Sequence, residues 1–499
     1  MCAVLSLGHG VRSGGSSLTT SDGHVSGFRW DDTYPTCFPS LAIRTQPVPV
    51  SDPTCVFLNV PLATEMGLPS DPSVWAKWGS GQQLPPGSTP WAMAYAGHQF
   101  GQFTVLGDGR AVVLGEHLAP DHRRVDIQLK GSGVTPFSRR GDGKAALGPM
   151  LREALISEAM HGLGIPTTRT LAVVATGETV WRGEPLAGAV LTRLATSHIR
   201  VGTFQYVAHQ GDPFLLRALW DYTCGRHGMV PGDDTKGRLD AFSEMVARQV
   251  SLVMAWLRVG FIHGVMNTDN MALSGETIDY GPCALMDGYD PLAVYSAIDH
   301  QGRYAFMRQP ECVQWNMARL AEAVWPLFNS DVSVAMGMLN DRLQSAHVLA
   351  HRAWMDMMRQ KLGWVGECAD DASRIDALLA MMAKYRWDYT QTFYYLTNGV
   401  SDPWMAVPEG RSWWEAHCHR QGMGDPLRCR AMMKLANPVL IPRNHLVATV
   451  LASAELGSMT DFMRYHEALK TPYVDAPHLA PYRRPPDPHE VITTTFCGT

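Results

Sequence analysis

A polar stretch in the second half of the chain combines residue types that bind metal ions and move protons. Residues 261–273 read Phe-Ile-His-Gly-Val-Met-Asn-Thr-Asp-Asn-Met-Ala-Leu, and residues 277–281 read Thr-Ile-Asp-Tyr-Gly. The side-chain oxygens of Asn270 and Asp279 are ligands that Mg²⁺ prefers. The carboxylate of Asp269 can orient or deprotonate an attacking hydroxyl. We therefore expect a metal and phosphate site with a nearby base; the alternative is a plain turn at 267–270, with Asp279 as a capping residue.

The order of these residues resembles the catalytic and metal-binding loops of a protein kinase, with a His, a later Asn and an Asp-aromatic-Gly motif. His263 takes the first place and is expected to support the loop by hydrogen bonds. One position departs from the kinase pattern: Val265 occupies the place of the catalytic Asp, and its side chain cannot accept a proton. The pattern indicates a kinase-like nucleotide site whose carboxylate has moved to Asp269, with altered chemistry or none.

Two other elements are predicted to position this loop. Apolar residues surround much of the segment from Leu239 to Val259, which predicts a buried helix that leads into the loop. Residues 125–130 alternate like a strand, which places Lys130 with its polar neighbours on one face. A helix over 147–163 carries Glu153, and a strand Lys paired with a helix Glu is how kinases hold nucleotide phosphates. The alternative is a solvated Lys at a strand end.

Two glycine-rich loops flank this strand. Apolar runs on either side of Gly107-Asp-Gly-Arg110 predict a β-hairpin, in which Gly107 and Gly109 let backbone amides approach a phosphate and Arg110 adds charge. A second loop, 138–144, carries Asp142 and Gly143. The alternatives are an ordinary β-turn and a flexible surface loop.

Arg193 and Arg200 are a further candidate pair for phosphate binding. Seven positions separate them. On a helix that spacing is about two turns, so both guanidinium groups would lie on one face and meet one phosphate. Two unrelated surface arginines are the alternative.

Composition excludes several classes of protein. The 499 residues carry a net charge of −5 and no long uncharged apolar run, which excludes a basic nucleic-acid-binding protein and argues against a membrane span. The ten Cys include no C-x-x-C pair, which favours reduced thiols and a cytoplasmic protein. The Gly- and Ser-rich residues 1–27 predict a disordered extension.

These motifs, with several others, identify a family resemblance that covers nearly the whole chain from about residue 28. The chain resembles the selenoprotein O family of pseudokinase-like protein adenylyltransferases. The motifs that carry the resemblance are Tyr95-Ala-Gly-His-Gln-Phe-Gly101, Leu106-Gly-Asp-Gly-Arg110, Gln128-Leu-Lys-Gly-Ser-Gly133, Ser157-Glu-Ala-Met-His161, Ile165-Pro-Thr-Thr-Arg169, Ser197-His-Ile-Arg200, Asn267-Thr-Asp-Asn-Met271 and Ile278-Asp-Tyr-Gly-Pro282.

The resemblance implies a two-lobed, kinase-like α+β fold with additions at both ends. We expect an N-lobe-like region with nucleotide-binding loops at 28–190, a largely helical C-lobe at 191–480 and an extended tail at 481–499. It also implies that ATP binds in a flipped orientation and that AMP passes to Ser, Thr or Tyr hydroxyls of proteins. A kinase that transfers the γ-phosphoryl group and a non-catalytic, nucleotide-binding pseudokinase are the alternatives.

The resemblance also implies roles for individual residues. Asp269 would accept the proton, and Asn270 and Asp279 would bind Mg²⁺, with Mn²⁺ as an alternative ion. The nucleotide would contact Gly107, Gly109, Arg110, Lys130, Asp142, Gly143, Arg193 and Arg200, with Glu153 bracing Lys130. Relatives in this family carry Cys or selenocysteine near the C-terminus, a place that Cys497 takes here. Residues 290–296 lack the partner Cys of some relatives, and Cys283 lies near the metal loop instead.

Overall fold

The structure is a computed structural model and describes residues 27–496. Apart from Gly27, the extension expected at 1–27 lies outside the described residues, as does Cys497. The described residues form a mixed α+β protein, as the sequence predicts.

Most of the strands lie in the first half of the chain. Within residues 27–496 they are β1 Ala42–Arg44, β2 Thr54–Leu58, β3 Trp91–Met93, β4 Ala96–Gln99, β5 Gln102–Val105, β6 Ala111–Leu118, β7 Arg124–Lys130, β8 Ala145–Ala146, β9 Arg169–Trp181, β10 Pro185–Ala195, β11 Phe261–Ile262 and β12 Ala284–Leu285. The main sheet is antiparallel, in the order β1-β3-β6-β7-β10-β9-β2, and β8 pairs with β10.

Helices dominate the second half. The described helices are α1 Thr33–Cys37, α2 Val60–Glu65, α3 Pro72–Trp78, α4 Leu147–Gly162, α5 Val201–Gln210, α6 Pro213–Arg226, α7 Thr235–Val259, α8 Gln309–Val324, α9 Val332–Leu362, α10 Asp371–Tyr385, α11 Tyr389–Asn398, α12 Asp402–Met405, α13 Pro408–Gln421, α14 Pro426–Ala436, α15 Asn444–Glu455, α16 Thr460–Leu469 and α17 Ala480–Arg483. Short 3-10 turns lie at Thr268–Asn270, Phe306–Arg308, Trp325–Leu327 and Pro477–Leu479.

Strand β7 divides its side chains as its alternating sequence predicts. Ile127 and Leu129 pack into a cluster that includes the buried Trp75 of α3. Gln128 and Lys130 are also buried, on the opposite face. Burying an amide or an ammonium group without partners is costly. The polar side chains of a strand that is buried on both faces must therefore form hydrogen bonds or ion pairs, which fix their positions.

Helices α4 and α7 carry the remaining parts of the site. The predicted helix over 147–163 is confirmed as α4, which packs against β9 and β10. The predicted buried helix is confirmed as α7: Asp234 caps its first turn by accepting a hydrogen bond from the Gly237 amide. Gly260, at φ 78°, ends it in the left-handed conformation that glycine adopts without strain. The chain then turns directly into the loop that the sequence singled out.

Candidate functional site

A cavity of about 1230 Å³ lies between the sheet with α4 and the loop after α7. All the residues assigned to the site from the sequence line this cavity: Gly107, Gly109, Arg110, Lys130, Asp142, Gly143, Glu153, Arg193, Arg200, Asp269, Asn270 and Asp279. Lys and Arg side chains outnumber Asp and Glu side chains in the lining, so the cavity favours an anionic ligand.

Lys130 is held between two carboxylates. Its Nζ lies 2.6 Å from Glu153 Oε2 on α4 and 2.6 Å from Asp279 Oδ1 in the loop. The predicted pairing of a strand Lys with a helix Glu is therefore confirmed. The Lys130 side chain is only 6% exposed, so solvent screens these contacts little.

Arg193 joins the same cluster from the neighbouring strand. In the register of β10 against β7, Arg193 lies opposite Gln128, and its NH2 group donates to Gln128 Oε1 at 2.6 Å. Its NH1 group donates to Asp279 Oδ1 at 2.7 Å and to Glu153 Oε1 at 3.3 Å. Strand pairing thus places a second buried cation beside Lys130.

Arg200 also belongs to this cluster, but it does not share a helix with Arg193. The helical interpretation of 193–200 was wrong, because Arg193 lies on β10 and Arg200 is the N-cap of α5. The two side chains nevertheless converge: Arg200 NH1 lies 3.8 Å from Asp279 Oδ2. The Arg200 guanidinium also lies 4.4 Å from the centre of the Tyr95 ring, a cation–π contact, and its NH1 donates to the Asp269 carbonyl at 2.9 Å.

Asp279 is ionised by the charges around it. Burial alone would raise the pKa of Asp279, but the positive charges of Lys130, Arg193 and Arg200 outweigh burial and hold that pKa well below its usual range. Its backbone has a φ of 64°, a left-handed conformation that Asp tolerates better than most residues. The ring of Tyr280, the next residue, is fully buried.

Val265 keeps a role in the loop through its backbone. Asn270 Nδ2 donates to the Val265 carbonyl at 3.0 Å, which fixes the amide and leaves its oxygen for another partner. Asn270 and Asp279 are not joined by a β-hairpin, the structure that their short spacing suggests. Ala272 pairs instead with Arg200 and Thr277 with Thr167, so neighbouring segments hold both arms of this loop.

His263 supports the loop as expected. Its Nε2 atom forms a hydrogen bond of 2.9 Å with the Ile278 carbonyl, directly before Asp279. Burial lowers the pKa of His263, so the imidazole is neutral, and its role is to hold the loop in place through this hydrogen bond.

The Asp269 side chain is buried in the wall of the cavity. Its Oδ1 atom is buried and has no hydrogen-bond partner among the described residues. Burial raises the pKa of Asp269 to about 6, and contacts with its own backbone amide and with Arg200 offset part of this effect. A carboxylate with a raised pKa and a free oxygen is suited to accept a proton.

The two glycine-rich loops pack against each other over the cavity. The predicted hairpin around Gly107 was wrong: β5 pairs with β4 in a separate ribbon, whereas β6 pairs with β3 and β7 in the main sheet. Gly107 has a φ of 127°, and a Cβ there would lie 2.3 Å from the ring of Phe137, the residue directly before the second loop. Asp142 receives two hydrogen bonds from Arg182, at 2.9 and 2.8 Å, which tie this loop to the turn between β9 and β10.

Sequence reasoning missed three residues that shape the site. Asp108, inside the Gly107–Arg110 motif, is buried, and its Oδ2 accepts hydrogen bonds from the Met93 amide and from Gln128. Tyr95 supports Arg200 as described above. Asn267 Oδ1 accepts from Tyr304 Oη at 2.6 Å and from the Phe100 amide at 3.0 Å. Both Tyr95 and Asn267 stand in the quoted motifs, but no spacing rule gives partners so distant in sequence.

The β4–β5 hairpin is attached to the loop at two points. Besides the Phe100 contact, the His98 amide donates to Thr268 Oγ1 at 2.7 Å. Gly97 lies against the Asp269 carboxylate, where a Cβ would lie 2.3 Å from Oδ1. The hairpin therefore sets the position of Asp269 as well as the cavity wall.

The donor set fits a hard divalent cation. Asp279 Oδ1 already accepts from Lys130 and Arg193, so Oδ2 is the oxygen that remains for a metal. The Asn270 oxygen adds a neutral donor, and Mg²⁺ characteristically takes one or two protein ligands together with phosphate oxygens and water. The residues present thus fit the ion expected from the sequence.

The cysteines expected near the site are only partly described. Cys283 is buried, and its Sγ contacts the Tyr280 carbonyl at 3.3 Å. Burial raises the pKa of the Cys283 thiol to about 11, so it is protonated at neutral pH. Thr495 places the end of the described chain nearby, since its hydroxyl donates to the Pro282 carbonyl at 2.6 Å.

Across residues 27–496, none of the helices combines the length and apolar character needed to cross a bilayer.

Comparison with known proteins gives a consistent result. Residues 42–465 match the family model described as "Protein adenylyltransferase SelO". A protein of Nitrosococcus oceani named "Protein nucleotidyltransferase YdiU" is 48% identical over 484 residues, which cover 95% of this chain and 98% of the relative. Proteins of the same name from Rhizobium meliloti and Halalkalibacterium halodurans are 46% and 47% identical, covering 95% of this chain in each case and 100% and 98% of the relatives.

These matches extend over nearly the whole chain, and the motifs behind them meet at one cavity. The chain belongs to the protein adenylyltransferase SelO family, with its kinase-like fold, and is a nucleotidyltransferase.

Proposed function

We propose that this protein transfers AMP from ATP to Ser, Thr or Tyr hydroxyls of other proteins, with ATP bound so that its α-phosphate faces the acceptor. The observation that carries the proposal is the cation cluster of Lys130, Arg193 and Arg200. Their side chains are 3–6% exposed, at the buried side of the cavity. Such a place suits phosphates and not an adenine ring, because guanidinium and ammonium groups bind anions by charge-assisted hydrogen bonds.

Val265 supports the same orientation. A kinase base is placed for attack on the γ-phosphate, and an apolar side chain at that place cannot serve such a reaction. Asp269, four positions after Val265, offers a buried carboxylate instead. With the α-phosphate as the target, the β- and γ-phosphates would lie against the buried cations and leave together as pyrophosphate.

The reaction that follows has few parts. The acceptor hydroxyl gives its proton to Asp269, and its oxygen forms a bond to the α-phosphorus. The bond between that phosphorus and the oxygen that bridges to the β-phosphate breaks, and pyrophosphate departs with the electron pair. Lys130, Arg193 and Arg200 hold the charge of the leaving group, and Arg200 also fixes the backbone of Asp269.

Asn270 and Asp279 would hold Mg²⁺ in this scheme. The ion, when bound, neutralises phosphate charge. Mn²⁺ is the alternative ion, and UTP with Mn²⁺ is a variant of the same chemistry. The roles of the individual residues, the lobe boundaries at 28–190 and 191–480, and a cytoplasmic location stay predictions.

The position of the transferred label tests the proposal. The purified protein and a protein extract of its host are incubated with Mg²⁺ and ATP labelled at the α- or the γ-phosphate, and intact-mass spectrometry of the purified protein is run in parallel. We expect α-label on protein and a mass gain of one AMP wherever the protein modifies itself. Asp279→Ala should abolish transfer, whereas Asp240→Ala, on the exposed side of α7, should not.

The alternatives give different results. Transfer of γ-label would replace the proposal by ordinary phosphoryl transfer. ATP binding without transfer of either label, with Asp279→Ala behaving like the wild type, would favour the non-catalytic pseudokinase.

A further inference from the structure

A second cavity, of about 800 Å³, opens beside the nucleotide cavity. We call it the hairpin groove: its walls are the tip of the β4–β5 hairpin, at Phe100 and Gln102, and the segment from Ile298 to Trp315. Phe100 and Ile298 line both cavities. A chain lying in the hairpin groove would therefore run directly into the cavity that contains Asp269.

The hairpin groove presents exposed aromatic and aliphatic groups. Phe100 is 39% exposed and Ile298 49% exposed. The Phe100 ring lies 5.4 Å from the Tyr304 ring, and the His98 ring lies 5.4 Å from the Trp315 ring. Clustered apolar side chains at a surface mark binding sites, and aromatic and Arg side chains dominate the energetics of protein interfaces.

Two arginines, Arg303 and Arg308, and two carboxylates, Asp299 and Glu311, line the hairpin groove. Arg303 stacks 4.5 Å from the centre of the Trp315 ring, and Arg308 is exposed on the same wall. Among the described residues, neither Arg makes an ion pair with a carboxylate. Asp299 uses both of its oxygens to accept backbone amides of residues 303 and 304, which leaves Glu311 as the opposing free carboxylate.

The position of the hairpin groove is fixed relative to the loop. The Phe100 amide donates to Asn267, and the Tyr304 hydroxyl on the opposite wall donates to the same Asn267 oxygen. One side chain, two positions before Asp269, therefore joins both walls. A ligand held between these walls has a set distance to the carboxylate.

We propose that the hairpin groove binds the acceptor protein as an extended segment. An apolar side chain of that segment lies against Phe100 and Ile298, and an acidic side chain close to the acceptor hydroxyl faces Arg303 and Arg308. This inference rests on the proposed adenylyl transfer and adds a preference for acidic acceptor sequences.

Short synthetic peptides test the preference. Each contains one Ser, Thr or Tyr, with flanking residues that are either Glu or Lys in an otherwise identical sequence. Transfer of α-label from ATP and peptide binding by fluorescence anisotropy are measured separately. We expect the wild type to prefer Glu-flanked peptides about fivefold, the range of a partly exposed ion pair. Arg308→Glu should reverse the preference, and Arg308→Gln should weaken it, because Arg303 remains.

Arg411→Glu is the matched control, because Arg411 is exposed on α13 and lines neither cavity. Binding of ATP by each variant verifies that the fold is kept. Transfer that ignores flanking charge in the wild type and in Arg308→Glu would overturn the groove and leave adenylyl transfer standing. Charge-dependent peptide binding without transfer would overturn the proposed function and keep the groove as a docking surface. Peptides that neither bind nor accept label would overturn the groove.

Discussion

Lys130 Nζ and Asp279 Oδ1 lie 2.6 Å apart, although 149 positions separate the two residues in the chain. The pair joins the main sheet to the loop after α7, and Glu153 and Arg193 complete the contact from α4 and β10. Because the cluster is nearly closed to solvent, its attractions and repulsions are stronger than those of surface charges. Each member thus depends on the others for its charge state and position.

Lys130→Met should lower the rate of AMP transfer about 100-fold or more. The substitution removes one phosphate-binding charge and leaves Glu153 and Asp279 with one buried cation fewer. Removing a group that stabilises developing charge in a transition state typically lowers the rate by about this factor. Initial rates with α-labelled ATP measure it. Lys236→Met is the control, since the Lys236 side chain is 80% exposed and pairs with Asp240 on the surface. A Lys130→Met rate within twofold of the wild type would contradict the role given to Lys130.

The sequence predicts those parts of the site that local patterns encode. The alternation of 125–130 and the helical pattern after residue 147 place Lys130 and Glu153 on adjacent elements, and the structure pairs them. The buried helix before the loop is likewise evident from apolar periodicity, which depends on the chain's own residues and not on distant ones.

Local patterns fail where a partner far along the chain decides the structure. The spacing of Arg193 and Arg200 places both on one face only if the segment is a helix, yet Arg193 belongs to a strand paired with β7. The apolar runs around Gly107 predict a hairpin. In the structure β5 pairs instead with the preceding strand, β4, since only Phe100 and Gly101 separate these two strands. Periodicity gives an element's type, but pairing depends on tertiary contacts.

Tyr304→Phe should slow transfer about fivefold while leaving ATP affinity unchanged. It removes the hydroxyl that donates to Asn267 Oδ1 at 2.6 Å, a bond worth about 1 kcal/mol, and leaves the Phe100 amide as the other donor. Separate measurement of the rate constant and of ATP binding distinguishes loss of positioning from loss of nucleotide. Tyr394→Phe is the control, because it also removes a hydroxyl that donates a hydrogen bond, in this case to the Asp475 carboxylate at the surface. Equal effects of both variants would show that the bond to Asn267 does not position the loop.

Lys361 predicts a pH-dependent change in stability. The ammonium is buried, lies 3.8 Å from the centre of the Phe393 ring and donates to the Arg258 carbonyl at 2.7 Å. Burial and the charge of Arg258 lower its pKa well below the usual range. A pKa that is lower in the folded than in the unfolded state destabilises the fold as pH falls below the unfolded value, near 10.4.

Lys361→Met removes this titration. The free energy of unfolding of this variant should increase relative to that of the wild type as pH falls from about 10 to 7. The increase is up to about 1.4 kcal/mol per pH unit, until the pH reaches the pKa of Lys361 in the folded protein. Denaturant titrations at several pH values measure the difference. A difference that stays constant over this range would show that Lys361 has the same pKa in both states.

Gly97→Ala tests whether the β4–β5 hairpin positions Asp269. The added methyl group would lie 2.3 Å from Asp269 Oδ1 and 2.9 Å from Leu106 Cδ1, so the carboxylate or the hairpin must move. Since a displacement of about 1 Å at a reacting group costs about 100-fold in rate, we expect transfer to fall by about that factor. Gly101→Ala is the matched control: Gly101 lies at the tip of the same hairpin with open space around it, and its φ of 87° gives the variant a backbone strain of about 1–2 kcal/mol. Transfer should persist in Gly101→Ala because a Cβ there meets no atom within 4 Å and does not press on the carboxylate. If both variants kept the wild-type rate, Asp269 would be free to adjust, and the close approach of Gly97 would have no part in the reaction.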